Sequence, residues 1–570
     1  MGLLKLNISF YWHTLRHLKF IQFYWRIRIQ FYRRNLNLDH RNSTRQPSKK
    51  LCLNAQKPSS LTGPVTFNFL NESHSLENVT WGGKNIEKLW LYNLHYFDDL
   101  NAINNHDRLS WHVELLNNWI EINSPGVGCG WDSYPTSLRI VNWIKWQLYG
   151  NKLPENCMNS LVIQCRWLSN RIEWHLLGNH LLANAKALIF SGLFFQGKEA
   201  NYFLKKGLRI INSQLTEQVL QDGGNFERST MYHNIILEDI LDLINVAKIY
   251  PECIDVNIVE GWMNTAARML RWMKGMLHPD GQIGLFNDAA FNITPSPKCL
   301  HEYSGRLGIE IESHNNLNFD EGSRENRAYC NDESSLKLPS IKLNHFSDSG
   351  YIRMEGESFV ALLDVAPVGP DYLPAHAHAD TLSFELSIFK QRIIVNGGTS
   401  CYGLSHNRLK ERQTSSHSTV EIDGESSSEV WSSFRVAQRA FPFDLNIAQN
   451  EDITSVSCAH NGYKRLVGKP IHRREWEINS KGFFITDQIE GDFENAIARF
   501  IFHPNVKLVS TAENKLILQI DNDEKIDLIV HAGKIKIKTS NYAPEFGKIL
   551  KTQCLEVELI NGYARTQLLF

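Results

Sequence analysis

Gly350–Ala366 reads GYIRMEGESFVALLDVA, and Thr381–Gly398 reads TLSFELSIFKQRIIVNGG. Apolar residues recur there at a two-residue period, which sends successive side chains to opposite faces of an extended backbone. The period returns in STVEIDGE (418–425), GFFITDQIEG (482–491), KLILQI (515–520), KIDLIVHAG (525–533) and KIKIKTS (534–540). Turn-forming pairs stand at Asp423-Gly424, Asn522-Asp523 and Gly533-Lys534. Short alternating strands punctuated by turns predict an antiparallel β-sandwich over 346–570.

Upstream the period is helical. LSWHVELLNNWIEI (109–122), SLRIVNWIKWQLYG (137–150), NHLLANAKALIFSGLFF (179–195), ANYFLKKGLRIINSQL (200–215) and VNIVEGWMNTAARMLRWMKGML (256–277) carry apolar residues three and four apart. Short connectors such as Gly150-Asn151, Gly197-Lys198 and Asp222-Gly223-Gly224 separate such segments, so consecutive antiparallel helix hairpins are expected within 39–310. The polar, patternless stretch His314–Ser340 predicts a linker over 311–345. The chain is therefore read as α+β and multidomain, and 570 residues exceed what one core usually supports.

With 60 basic and 61 acidic residues, the chain as a whole gives no sign of nucleic-acid binding. Its 15 Trp, 18 Tyr and 29 Phe suit a carbohydrate cleft as well as a core. Ten scattered cysteines without a CxxC pair read as reduced thiols. Residues 1–38 hold seven Lys or Arg and no acid, interleaved with aromatics, and predict a basic aromatic helix. That helix could lie peripherally on an anionic membrane or dock on the protein body. With no evident signal peptide and no run of about 18 apolar residues, the localisation reading is cytoplasmic or inner-membrane-associated, with periplasmic as the alternative.

Four clusters can carry chemistry. LPAHAHADTLSF (373–384) places His376, His378 and Asp380 on one face if the backbone is extended. EWHLLGNHLLANA (173–185) opens a helix at Gly178-Asn179-His180, where an anion or a simple N-cap would fit. DGGNFERSTMYHNIILEDI (222–240) leads through Asn225 and Glu227 to Tyr232 and His233, and RLKERQTSSHSTVEIDG (408–424) sets Arg408, Arg412 and His417 before a strand.

Together with WDSYPTSLRIVNW (131–143), GLFNDAAF (284–291) and IIVNGGTS (393–400), these clusters resemble, in order, the heparinase II/III family of polysaccharide lyases. The resemblance spans roughly Trp90 to Phe443. It implies an N-terminal (α/α) toroid, an incomplete helical barrel, followed by the sandwich. It further implies β-elimination at a uronate: Asn179 and His180 neutralise the carboxylate, Tyr232 serves as base, acid or both, and His376 faces the sugar, where it helps bind and neutralise the carboxylate or transfers a proton. The same resemblance implies a structural Zn2+ held by His378, His417 and a residue at Asn396, where the family carries aspartate. Asn396 is a poor ligand, and Asp380 is the substitute to consider.

Further cleft candidates are Trp131, Tyr134, Arg139, Glu227, Asn287, Asp288 and Arg412. Trp131 and Tyr134 stack on a sugar or pack in the core, and Arg139 pairs with a sugar carboxylate or with a helix neighbour. Two other functions remain open from sequence. One is a toroid glycoside hydrolase drawing its carboxylate pair from Glu173, Asp222, Glu227 and Asp288. The other is a non-catalytic protein that binds a surface polysaccharide during its assembly.

Overall fold

The computed structural model describes residues 8–31, 37–39, 43–309, 341–520 and 524–570. Most of the expected linker, including His314–Ser340, and the Asn522-Asp523 turn lie outside the described residues.

Helices dominate as far as Arg306, paired as the connectors predict. Gly178–Phe194 packs along Lys198–Gln218, and Thr230–Ile249 along Val256–Gly275. The first pair approaches closely because of two glycines. A Cβ on Gly192 would fall 2.5 Å from the Leu204 backbone nitrogen, and one on Gly207 would fall 2.7 Å from Ile189. Trp90, Trp119, Trp143 and Trp146 are fully buried in the helical core, so much of the aromatic content fills volume. A three-stranded antiparallel sheet over Leu61–Ser75 precedes the helical array, an element the periodicity did not announce.

The C-terminal half is built on two antiparallel sheets, of eight and nine strands, as the alternation predicted, with a two-stranded pair, Val430–Trp431 and Arg435–Val436, beside them. In Ile471–Asn479 every second side chain, His472, Arg474, Trp476 and Ile478, points inward. The sandwich begins with the strand Lys342–Phe346, four residues earlier than expected, inside the end of the expected linker.

The two halves are stitched by polar contacts. Ser349 donates through N and Oγ to Asp222 Oδ2 (2.7 and 2.8 Å), and Tyr351 Oη donates to Arg228 O (2.7 Å). His278 on the helical side bonds Glu385 Oε2 at 2.9 Å. The N-terminal segment forms two helices, Ile8–Leu15 and Phe20–Phe31, which dock across the seam. Trp25 stacks on Trp174 of the helical half, and Thr14 Oγ1 donates to Val436 O of the strand half.

Candidate active site

Asp288 is the hub. It follows the last long toroid helix, and the segment before it is pinned to the sandwich where Leu285 N donates to Glu385 Oε1 (3.2 Å). Arg408 grips both carboxylate oxygens, with Nη2 to Oδ2 at 2.7 Å and Nη1 on Oδ1. His376 Nδ1 bonds Oδ2 at 2.9 Å and His378 Nε2 bonds Oδ1 at 2.8 Å. Three donors hold the Asp288 carboxyl well below the usual carboxylate range despite its burial, with the Arg408 charge the strongest of them.

An ionised acceptor fixes the histidine tautomers. His376 donates from Nδ1, which leaves its Nε2 lone pair free, 3.8 Å from Glu227 Oε2. Burial pushes the His376 pKa below its ordinary value even against the pull of Asp288, so the ring is neutral near pH 7. Its side chain is 12 % exposed, whereas His378 is fully buried.

Tyr232 sits in the first turn of the helix Thr230–Ile249, which is N-capped by Ser229; the Ser229 hydroxyl also donates to Asp288 O. Its ring stacks on His376 with centroids 3.9 Å apart, and its hydroxyl meets Tyr402 Oη at 3.1 Å. Burial, then Tyr402 and Asp288, raise the Tyr232 pKa well above ten, so the resting side chain is a phenol. Beside this pair lies Glu227, buried, with neither carboxyl oxygen hydrogen-bonded. Burial, aided by the Asp288 charge, pushes its pKa up to about 8.

The Asn179-His180 pair is presented by strained backbone. Leu177 and Gly178 both have positive φ, at 64° and 53°. A Cβ on Gly178 would clash with Leu373 at 2.5 Å, so glycine is required where the helix start meets the histidine loop. His180 lies against Tyr134, with ring centroids 4.5 Å apart, and its Nδ1 approaches Glu173 Oε2 at 3.3 Å.

Models for the Heparinase II/III N-terminus and for the Heparinase II/III-like, C-terminal region match residues 111–301 and 339–565. The chain belongs to the heparinase II/III family. It is 24% identical over 344 residues to a heparin-sulfate lyase of Bacteroides stercoris, covering 59% of this chain and 47% of that protein. A heparin-sulfate lyase of Pedobacter heparinus is 22% identical over 277 residues, covering 47% of this chain and 39% of that one. The chain thus spans about half the length or less of these curated relatives. Among solved structures, heparinase III superposes with a TM-score of 0.67 at 18% identity, over 86% of this chain and 79% of that one. Heparan sulfate lyase HepC from Pedobacter heparinus superposes at 0.53 and 16%, over 96% and 87%. At these identities the likeness establishes the fold, a toroid followed by a sandwich.

In this heparinase II/III chain the open alternatives at Trp131 and Arg139 resolve toward packing, and other residue expectations change. Trp131 is buried, with its indole N–H donating to Asn123 O, so packing replaces stacking on a sugar. Arg139 is wholly buried over Trp119 and bonds Gln164, His95 O and Gly130 O, out of reach of any sugar carboxylate. Arg412 is also buried; it donates to Ala377 O and holds the histidine loop instead of a ligand. Asn287 spans the same loop, accepting from His378 N and donating to Arg228 O. Asp380 stays within electrostatic reach of His378 but bonds neither histidine; it accepts from Asn287 N, because Pro374–Asp380 is a turn and not a strand.

Zinc depends on the donor set. His378 Nδ1 and His417 Nε2 face each other at 3.2 Å, a separation suited to an N–H···N bond or to two ligands of one ion. The third position fails. Asn396 is uncharged, its Oδ1 accepts from Ser418 N (3.2 Å), and its Nδ2 donates to Ser383 Oγ (3.3 Å). Among the described residues no group of three His, Cys, Asp or Glu side chains is placed to hold a metal ion. The residues present do not fit the zinc expectation.

Sequence reading did not select Tyr402, whose hydroxyl partners Tyr232, and gave Arg408 no role. Tyr402 stands two residues past IIVNGGTS, but its partner is 170 positions earlier, a distance no local pattern bridges.

Proposed function

We propose that this chain is a polysaccharide lyase that cleaves an acidic, uronate-containing polysaccharide by β-elimination. The observation that carries the reading is the stacked Tyr232–His376 pair, a resting phenol against a neutral imidazole whose Nε2 lone pair is open. In the proposed step His376 Nε2 removes the C5 proton and the C4–O bond breaks. The leaving oxygen takes the Tyr232 proton, and a C4–C5 double bond forms. The imidazolium so produced is stabilised by ionised Asp288, and its proton returns to Tyr232 after product release.

Carboxylate neutralisation falls to Glu227, Asn179 and His180. A carboxylic acid held neutral up to about pH 8, with both oxygens unbonded, can donate to the substrate carboxylate and blunt the charge that builds during C5 deprotonation. Tyr134 packs against the His180 ring beside them.

The hydrolase alternative loses two of its four carboxylates to other duties, which leaves Glu173 and Glu227. Asp222 is taken by Ser349, and Asp288 by Arg408 and two histidines. The assembly-associated reading is tested by the same assay as the lyase. Incubation with heparan sulfate, the polymer to which the relatives' names point, and with a panel of other uronate polymers should give a product absorbing in the near ultraviolet. Tyr232→Phe should lower kcat by roughly 10²–10⁴-fold. Wild type that yields no unsaturated product on any polymer defeats the lyase reading; new reducing ends without absorbance would then mark the hydrolase, and no cleavage at all the binding reading.

A further inference from the structure

The N-terminal helix pair docks with its polar and half-buried side inward and its apolar side outward. In Phe20–Phe31, Gln22 is buried and Ile21, Trp25 and Ile29 are half-buried, with Trp25 on Trp174 and Gln22 Nε2 donating to Tyr372 O (3.5 Å). At about 100° per residue, Phe20, Phe23, Tyr24, Ile27 and Phe31 fall together on the opposite side. All five are exposed, Phe20 by 82% and Phe31 by 79%. The helix Ile8–Leu15 repeats the arrangement. Phe10 and Thr14 meet Trp431 and Val436, while Ile8, Trp12 and Leu15 stand in solvent.

Eight large apolar side chains exposed on the outer sides of two successive helices are more than a lone protein in water ordinarily displays. Exposed Arg16 and Arg26 flank that face, and residues 1–38 contain no acid. No helix among the described residues is long and apolar enough to cross a membrane. Apolar and aromatic side chains rimmed by arginine form the composition of a helix that lies in a lipid headgroup layer.

We propose that this face docks peripherally on an anionic lipid surface. Charge selects lipid over a second copy of the chain: a copy would set like-charged arginines against each other, whereas anionic headgroups neutralise them. The helix pair bridges both halves through Trp174 and Val436, so docking would hold the whole body at the membrane. This inference does not depend on the chemistry of the cleft.

The test is flotation of the full-length protein with phosphatidylglycerol–phosphatidylcholine vesicles and with phosphatidylcholine alone. At least tenfold more protein should float with the anionic vesicles, and the excess should shrink as salt rises. Phe20→Glu combined with Ile27→Glu should lower that binding at least tenfold with an unchanged circular dichroism spectrum. Arg16→Glu with Arg26→Glu should remove the preference for anionic lipid. The proposal is overturned if wild type fails to float, if the Phe20/Ile27 variant floats equally well, if the arginine variant keeps the preference, or if wild type instead sediments as a dimer that the Phe20/Ile27 variant dissolves.

Discussion

The molecule contains nearly the same histidine–carboxylate–arginine arrangement twice. At the candidate active site, His417 bonds His378, His378 bonds Asp288 at 2.8 Å, and Arg408 grips both oxygens of Asp288. Inside the sandwich, His460 bonds His472 at 3.2 Å, His472 bonds Asp487 at 2.8 Å, and Arg474 grips both oxygens of Asp487. In both places burial keeps the linked histidines neutral and the arginine keeps the carboxylate ionised. What differs is the surroundings. Only Asp288 holds a further histidine, the partly exposed His376, beside a buried carboxyl with both oxygens unbonded. Residue types therefore do not distinguish a reactive centre from a structural one here; unsatisfied atoms beside an open face do.

Asp288→Asn and Asp487→Asn break the comparison most strongly. Each leaves a buried arginine without its carboxylate, so urea denaturation should show both variants destabilised by about 3–5 kcal/mol. Activity should separate them. Asp288→Asn also frees the His376 tautomer and should lower kcat by roughly 10²–10⁴-fold, while Asp487→Asn in its folded state should retain wild-type kcat. Equal loss of activity in both would mean that the Asp288 cluster is structural too.

Glu227 gives the next effect. Its carboxyl is neutral below about 8 and becomes an anion as pH rises through that value. Only the neutral form can donate to a substrate carboxylate, so kcat/KM should fall about tenfold per pH unit on the alkaline side. Glu227→Gln keeps a neutral donor and should flatten that limb. An alkaline limb that persists unchanged in the variant assigns it to another group.

The fold was legible because its signals are periodic. Ile471–Asn479 alternates in burial as its sequence alternates, and the Gly197-Lys198 connector lies between two packed helices as read. Asn179, Tyr232 and His376 were legible through motifs, and the structure does assemble Tyr232 with His376. The acid that organises them was legible only as a cleft candidate and a possible hydrolytic carboxylate. The H-A-H-A-D run invited a pairing of its histidines with Asp380, yet Asp288, 88 positions before His376, does that work. Chain turns that bring distant segments together leave no local period, so Tyr402 and the role of Arg408 were invisible. Arg139 and Arg412 misled for a related reason: a buried arginine satisfied by backbone carbonyls reads, in sequence, like one waiting for an anion.

The smallest effect sharpens the comparison of the two histidine pairs. His378–His417 and His460–His472 have the same 3.2 Å nitrogen separation, and neither has a charged third ligand. At the first pair, however, Asn396 Oδ1 accepts from Ser418 N, immediately beside His417. Asn396→Asp would place a carboxylate there. Without metal it should cost about 1–3 kcal/mol, because Ser383 loses its amide donor and a charge is buried. With zinc at about 100 times its dissociation constant, the variant should regain about 2.7 kcal/mol, read as a rise in Tm of roughly 5 °C. Wild type should show no such rise, since a neutral amide already held by Ser418 N offers zinc too little. If zinc stabilises wild type as much as the variant, the amide at Asn396 suffices as a ligand. If it stabilises neither, the His378–His417 pair is only a hydrogen bond, as the sandwich pair is.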